Sequence, residues 1–321
     1  MVTFNRTLAV IAVSLAAITG VSAQDAKQLV IGTGGTGGVY YPLGGGIANL
    51  IGKELPNTQA TAQVTGASVD NLKLLAAGKA DIGFTQVDAA WDAIKGQGKF
   101  TAPLPVRALT VLYPNHIHVV TVDGTGIAKV EDMKGKRVSV GSAGSATEVF
   151  AVRVLEAAGL NAEKDIVKEK LGAVESVNAI KDRKIDAFFW VGGLPTAAIT
   201  DLAATPNTKI KFLDSAGYVG KMNEKYGPLY AAATIPMATY KGMDADAKNI
   251  TVWNILAVPE AMPEDLAYKL TKLVIEKRDD LGLVHGEGKN IKAESQTLKF
   301  SGIPFHKGSL KYFAEKGLKV E

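Results

Sequence analysis

Residues 32–50 read GTGGTGGVYYPLGGGIANL and follow directly on the apolar run QLVI at 28–31. Eight of these nineteen residues are glycine. A short apolar strand, a loop stripped of side chains and a helix held off until the loop is finished are the opening of an α/β unit. Within the loop, Gly32, Gly34 and Gly37 fit the G-x-G-x-x-G spacing of dinucleotide-binding proteins. The stretch therefore poses a choice between a nucleotide-dependent enzyme and a protein that captures another anion on bare backbone N–H groups.

Working outward, the pattern repeats. QLVIGT is a strand and Leu43 to Leu55 a helix ending before Pro56; ATAQV is a strand, and VDNLKLLAAG a helix stopped by Gly78. DIGFTQ at 81–86 and VDAAWDAI at 87–94 continue the alternation. The second half of the chain has the same order: KRVSV, a glycine-serine loop, a helix ending at Gly159, then KEK, a helix, and the strand entered through Lys184-Ile185-Asp186, the counterpart of Lys79-Ala80-Asp81. Helix spacing differs by about a turn, so the match supports two similar lobes rather than a recent duplication. Between them VRALTVLYPNHIHVVTVDGTGI is β-rich, and beyond it Pro263-Glu264-Asp265 starts a long helix with acids at its positive end. The expected fold is α/β, with two lobes joined by hinge strands, each a mostly parallel sheet flanked by helices. The first lobe is expected to be discontinuous, residues 24–115 and 240–321, with the second, residues 116–239, inserted into it.

The first 23 residues, with Arg6 ahead of an apolar segment and Val21-Ser22-Ala23 before Gln24, read as a signal peptide cleaved after Ala23. The chain has no cysteine, which excludes disulfides, thiolate chemistry and lipidation of a new N-terminal cysteine. Together these place the mature protein free in a periplasm. A formal charge of +4 spread over 321 residues argues against nucleic acid, which calls for a clustered basic face.

Ligands of open parallel sheets bind off the carboxyl ends of the strands. That rule selects the loops at 32–42, 66–71, 85–88, 141–148 and 190–195, whose side chains are mostly Thr, Ser, Tyr, Asn and Gln; none of the six arginines falls in them. Ser145 with Glu148 makes a capping box at a helix start, a ready anion site. Ser68 and Asn71 are further cap candidates. Of Tyr40 and Tyr41, one is expected to face the crevice and the other to pack inward; Trp190 either lines the site or closes the core. The four histidines form no metal-ligand pattern, no nucleophile-base arrangement is visible, and Asp88 with Asp92 reads as a solvated helix face. Glu54 is spaced to meet a ribose hydroxyl but lies at a helix end, so the nucleotide reading is the weaker one. No enzyme, no cofactor and no metal are expected.

The stretches LVIGTGGTGGVYYPLGGGIANLI, TGASVDNLKLLAAGKADIGFTQVDAAWDA, VSVGSAGSATE and DAFFWVGGLPTAAITDLA together resemble the TRAP-associated extracytoplasmic immunogenic (TAXI) family of solute receptors. The resemblance implies a monomeric, hinge-closing receptor that delivers a small organic acid, such as glutamate, glutamine or 2-oxoglutarate, to a TRAP permease with fused membrane subunits. It further implies ligand contacts from Thr36, Gly37, Gly38 and Tyr40, from Ser68, Asn71 and Gln86, and from Ser142, Gly144, Ser145, Thr147, Trp190 and Gly193 of the second lobe. A sensor subunit signalling to a membrane kinase, or a receptor of the thiamine-precursor or nitrate type, uses the same kind of fold and stays open as an alternative.

Overall fold

The computed structural model describes residues 26–320. The leader and its cleavage site after Ala23 lie outside the described residues. Strand β1 (Lys27–Gly32) leads into helix α1 (Tyr40–Glu54), β2 (Thr58–Gln63) into α2 (Ser68–Ala76), and β3 (Ile82–Gln86) into α3 (Val87–Lys95). A long strand β4 (Val106–Val122) carries the chain onward to β5 (Arg137–Ser139), α4 (Ala146–Ala157), β6 (Val167–Glu169), α5 (Ala173–Lys181), β7 (Ala187–Gly192) and α6 (Ala197–Ala204). After β8 (Ile210–Phe212), α7 (Val219–Tyr226) and β9 (Ala231–Ile235) a second long strand, β10 (Ala247–Pro259), returns. Helices α8 (Glu264–Glu276), α9 (Arg278–Val284) and α10 (Lys307–Glu315) follow.

The strands run in the order β2-β1-β3-β10-β4-β7-β5-β6, with β9 added on β10 and β8 on β4. On one side β1 pairs in parallel with β2 and β3, and β10 lies antiparallel beside β3. On the other, β5 pairs in parallel with β6 and β7, and β4 lies antiparallel beside β7. The two halves thus share one strand order, three parallel strands closed by an antiparallel long one. This is the α/β arrangement of two lobes that the repeated pattern predicts. Each parallel set is covered by its own helices: Leu43, Ile47 and Ile51 of α1 pack on Leu29, Ile31 and Ile82, while Val177, Ile180 and Ile199 pack on Phe188.

Strands β4 and β10 belong to both halves. β4 pairs with β10 from Val106 to His116 and with β7 from His116 to Thr121. β10 pairs with β9 over Ala247–Thr251 and with β3 over Ala257–Asn254. Where they change partners, Pro114 stands opposite Trp253 and the register shifts before Ile255. Proline has no N–H for a ladder and an irregular register bends a strand, so both features mark the level at which the strands pass from lobe to lobe. The segment from Tyr240 to Ile250, assigned to the first lobe by its sequence, packs with the second. Tyr240 shares an apolar cluster with Phe188 and Ile199; its hydroxyl lies 2.9 Å from His118 Nε2 and accepts the Thr196 N–H at 2.9 Å.

Another expectation is overturned at α3. Asp88 and Asp92 are 0 % and 1 % exposed rather than solvated. Arg153 of α4 donates to Asp92 Oδ2 at 2.5 Å and to the Tyr230 hydroxyl at 2.6 Å, and Tyr230 in turn donates to Asp88 Oδ2 at 3.0 Å. A guanidinium that answers two buried carboxylates leaves one negative charge uncompensated. Burial, with Asp92 adding to it, pushes Asp88 up to about 6 although Arg153 and the Tyr230 hydroxyl oppose the shift. An acid raised on folding makes the native chain bind the extra proton, so this contribution to stability is complete below the unfolded value near 4 and is lost as pH rises through 6. Urea unfolding from pH 4 to 7 is therefore expected to show a downward slope in stability that Asp88→Asn flattens, by about 1–3 kcal/mol across that window.

Candidate ligand site between the two lobes

The loops leaving the carboxyl ends of the parallel strands meet across the hinge and enclose a cavity of about 350 Å3. Its wall is built from helix starts. Tyr40 opens α1, Ser68 opens α2, Gln86 precedes α3, Ala146 and Thr147 open α4, and Ala173 and Val174 open α5; all line the cavity. The first N–H groups of a helix have no partner within it, and each helix start carries a partial positive charge. Several such starts aimed at one space make it attractive to an anion without an arginine. Lys170 and Glu175 are the charged side chains on the wall. Lys170 stands 3.0 Å from Glu148 Oε1, which also meets Lys99 at 3.1 Å, so one carboxylate answers two lysines and a net positive charge remains at this edge of the cavity.

The floor of the cavity is the hinge itself. Tyr113 and Asn115 of β4 line it. Asn254 of β10 lies directly behind: its Nδ2 donates to the Tyr113 carbonyl at 3.1 Å, and its Oδ1 accepts Asn115 Nδ2 at 2.8 Å and the Tyr40 hydroxyl. Burial raises both tyrosine hydroxyls above their ordinary range, which keeps them neutral donors at physiological pH. Three buried polar atoms on the cavity wall have no partner within the protein: Gln86 Oε1, Tyr113 Oη and Asn115 Oδ1. An unpaired buried polar atom costs about 1–3 kcal/mol, so three together on one wall point to a polar molecule that completes them.

Most of the residues singled out from the sequence meet here. Thr36, Gly37, Gly38, Tyr40, Ser68, Gln86, Ser142, Ser145, Thr147 and Trp190 line the cavity. Asn71, Gly144 and Gly193 do not, each for a reason of packing. Asn71 is fully buried behind the wall, donating to the carbonyls of Thr33 at 2.7 Å and Phe84 at 2.8 Å and accepting from Thr65 at 2.7 Å, so it ties the three loops together. Gly144 accepts the Asp70 N–H at 3.1 Å from the opposite lobe. Gly193 sits against Glu287 and Tyr113, where a Cβ would come within 2.7 Å of Glu287 Cγ. Ser145 completes half of the capping box: its Oγ accepts Glu148 N–H at 3.1 Å and donates to the Ser142 carbonyl at 2.7 Å, while the Glu148 carboxylate turns to the lysines. Ser68 makes no cap; its Oγ accepts the Gln86 N–H at 3.2 Å. Trp190 lines the site, held by its Nε1 donating to Thr196 Oγ1 at 3.0 Å. Tyr40 faces the crevice, stacked on Phe84, and Tyr41 points to solvent rather than inward.

Tyr113, Asn115 and Ala67 were missed. The first two sit inside a strand, where a search restricted to loops does not look. Ala67 lines the cavity with φ 82°, a conformation that disfavours any residue with a Cβ and that no local sequence signal announces.

Two glycines of the opening loop have their explanation in the facing lobe. A Cβ on Gly37 would stand 2.5 Å from Val174 Cγ2, and one on Gly38 would stand 2.9 Å from Trp190 Cζ2. Gly37 also accepts the Ala198 N–H at 3.3 Å. Gly37 and Gly38 are bare because the other lobe closes onto them, whereas a Cβ on Gly32 would come within 2.6 Å of Asn71 Oδ1 in its own lobe.

A sequence profile of the NMT1-like family matches residues 31–317, and the chain belongs to that family. Solved structures of similar shape include proteins named for transporters and for ligand binding. The binding protein of a phosphonate ABC transporter from Pseudomonas aeruginosa is 11 % identical over 82 % of this chain and 79 % of its own, with a TM-score of 0.53. A putative L-cystine ABC transporter protein from Listeria monocytogenes is 18 % identical over 83 % and 95 %, with a TM-score of 0.50. An ancestral arginine-binding protein bound to arginine is 17 % identical over 83 % and 99 %, also at 0.50. The fold is that of the two-lobed periplasmic binding proteins.

Two substitutions test this geometry. Gly38→Ala is expected to hold the lobes apart against the indole, at the roughly 1–3 kcal/mol usual for overpacking, read as a larger radius of gyration in solution scattering with an unchanged circular dichroism spectrum. Ser145→Ala removes the α4 cap and should lower stability in urea by about 1 kcal/mol.

Proposed function

We propose that the protein is a periplasmic solute receptor that captures a small organic acid between its lobes and presents the closed form to a membrane permease. The observation that carries this reading is the closed cavity lined by helix starts on both lobes, with three unpaired polar atoms on its wall. An anion bound there touches loops of both lobes, and only such differential contact shifts a hinge equilibrium toward closure. The lobes divide at the crossing of β4 and β10, so residues 26–113 and 255–320 move against residues 116–251. Its place in this reading is as the soluble partner of a TRAP permease with fused membrane subunits, on the strength of the four sequence motifs that resemble TAXI receptors. In this reading the chain acts as a monomer, the cavity being lined by one copy. Among the described residues no helix is long and apolar enough to cross a membrane.

The glycine loop supports no nucleotide reading. Gly38 and Gly37 face Trp190 and Val174 at van der Waals contact, and a cavity of about 350 Å3 is small for a dinucleotide. Native mass spectrometry of the purified chain is expected to reveal a carried-over acid. Calorimetry with glutamate, glutamine, 2-oxoglutarate and succinate should then find at least one binder, while NAD gives no heat. Binding of NAD with none of the acids would overturn the proposal.

A further inference from the structure

The floor of the cavity carries a chain of amide orientations that ends on an oxygen without a partner in the protein. The Tyr113 carbonyl can only accept, so the group 3.1 Å from it is the Asn254 amino group. The Asn254 oxygen therefore faces the other way, where it receives the Tyr40 hydroxyl and the Asn115 amino group. Asn115 is fixed in turn, with its oxygen left without a partner and its residue on the cavity wall. Asn115 and Asn254 are 1 % and 0 % exposed, so water from the bulk does not reach them. Rotating either amide would set an amino group against a donor and a carbonyl against a carbonyl. The wall is thus rich in donors at its helix starts, and at its floor stands a locked, unpaired acceptor, buried just beneath the surface of the closed cleft.

We infer that Asn115 makes the receptor selective for acids that carry an N–H or O–H donor beside the carboxylate and discriminates against acids that present only acceptors or carbon there. This rests on the reading of the cleft as an acid site. A keto oxygen placed against Asn115 Oδ1 sets two acceptors face to face, and a methylene leaves the oxygen desolvated and unpaired. A site built around a hydrogen-bonding group rejects the analogue that lacks it far more strongly than a hydrophobic pocket rejects a missing methylene. Because Asn115 and Asn254 sit on the two strands that cross at the hinge, the same contact also reports the solute to the moving part of the molecule.

The test is calorimetry of the mature chain with four acids that differ at one carbon: L-glutamate, 2-hydroxyglutarate, 2-oxoglutarate and glutarate. The first two are expected to bind at least about tenfold more tightly than the last two. Asn115→Leu, which keeps the shape and removes the acceptor, should bring all four within about threefold by weakening the donor-bearing pair alone. Should that variant fail to fold, Asn115→Asp retains an acceptor and is expected to keep the preference for the ammonium over the keto group. Equal or tighter binding of 2-oxoglutarate or glutarate by the unaltered chain overturns the inference while the acid reading stands. Persistence of the tenfold preference in Asn115→Leu overturns the role of Asn115. Heat from none of the four, nor from glutamine or succinate, overturns the acid reading and this inference together.

Discussion

The antiparallel pairing of β4 with β10 is the constraint on which the rest of the molecule depends. Each strand is a member of both half-sheets, so the lobes are joined by a continuous hydrogen-bonded ladder rather than by linkers. A ladder twists and bends but does not come apart, which confines relative motion to the level of Pro114 and Trp253. The cavity lies at that same level, because the carboxyl ends of the parallel strands in both lobes point toward the crossing. Site and hinge are therefore one place, and Tyr113, Asn115 and Asn254 belong to both.

Two kinds of contact bring the lobes together. Around the cavity the contacts are backbone to backbone, as between Asp70 and Gly144 or between Ala198 and Gly37, and they form only where side chains are missing. Away from it, buried charge does the joining: Arg153 of α4 reaches Asp88 and Asp92 of α3, and Glu287 accepts the Leu194 N–H at 2.7 Å. Breaking such a buried pair strands a charge, so these contacts are stiff. The histidines are absorbed by structure in the same manner; burial drives His118 down to about 3, and it stays neutral between the His116 carbonyl and Tyr240.

The fold was largely legible in the sequence because it rests on periodicity, which is local. Runs such as LVI and IGF, separated by helices capped with Gly78 and Gly159, allow a parallel sheet and little else. The site was legible in its loops for a related reason: strand ends in α/β sheets are where ligands go, and most of the singled-out side chains do line the cavity. Asn71 was misplaced because an amide in the first turn of a helix looks alike whether it faces a ligand or two carbonyls and a hydroxyl of its own chain. Asp88 and Asp92 were misread because a carboxylate pair one turn apart is ordinarily solvated, and Arg153 lies 61 residues beyond Asp92.

By itself the sequence determined the two-lobed α/β design, the absence of cysteine chemistry and strand-end loops that carry glycine and hydroxyl residues but no arginine. Only the tertiary structure decided why Gly37 and Gly38 must be glycine, since the atoms that exclude a Cβ there belong to Val174 and Trp190, more than a hundred residues away. It alone showed that a β-strand supplies the cavity floor and that the Asn115 oxygen is left without a partner in the protein. Those facts depend on which groups are left unpaired once every other partner is taken, and that is a property of the folded whole.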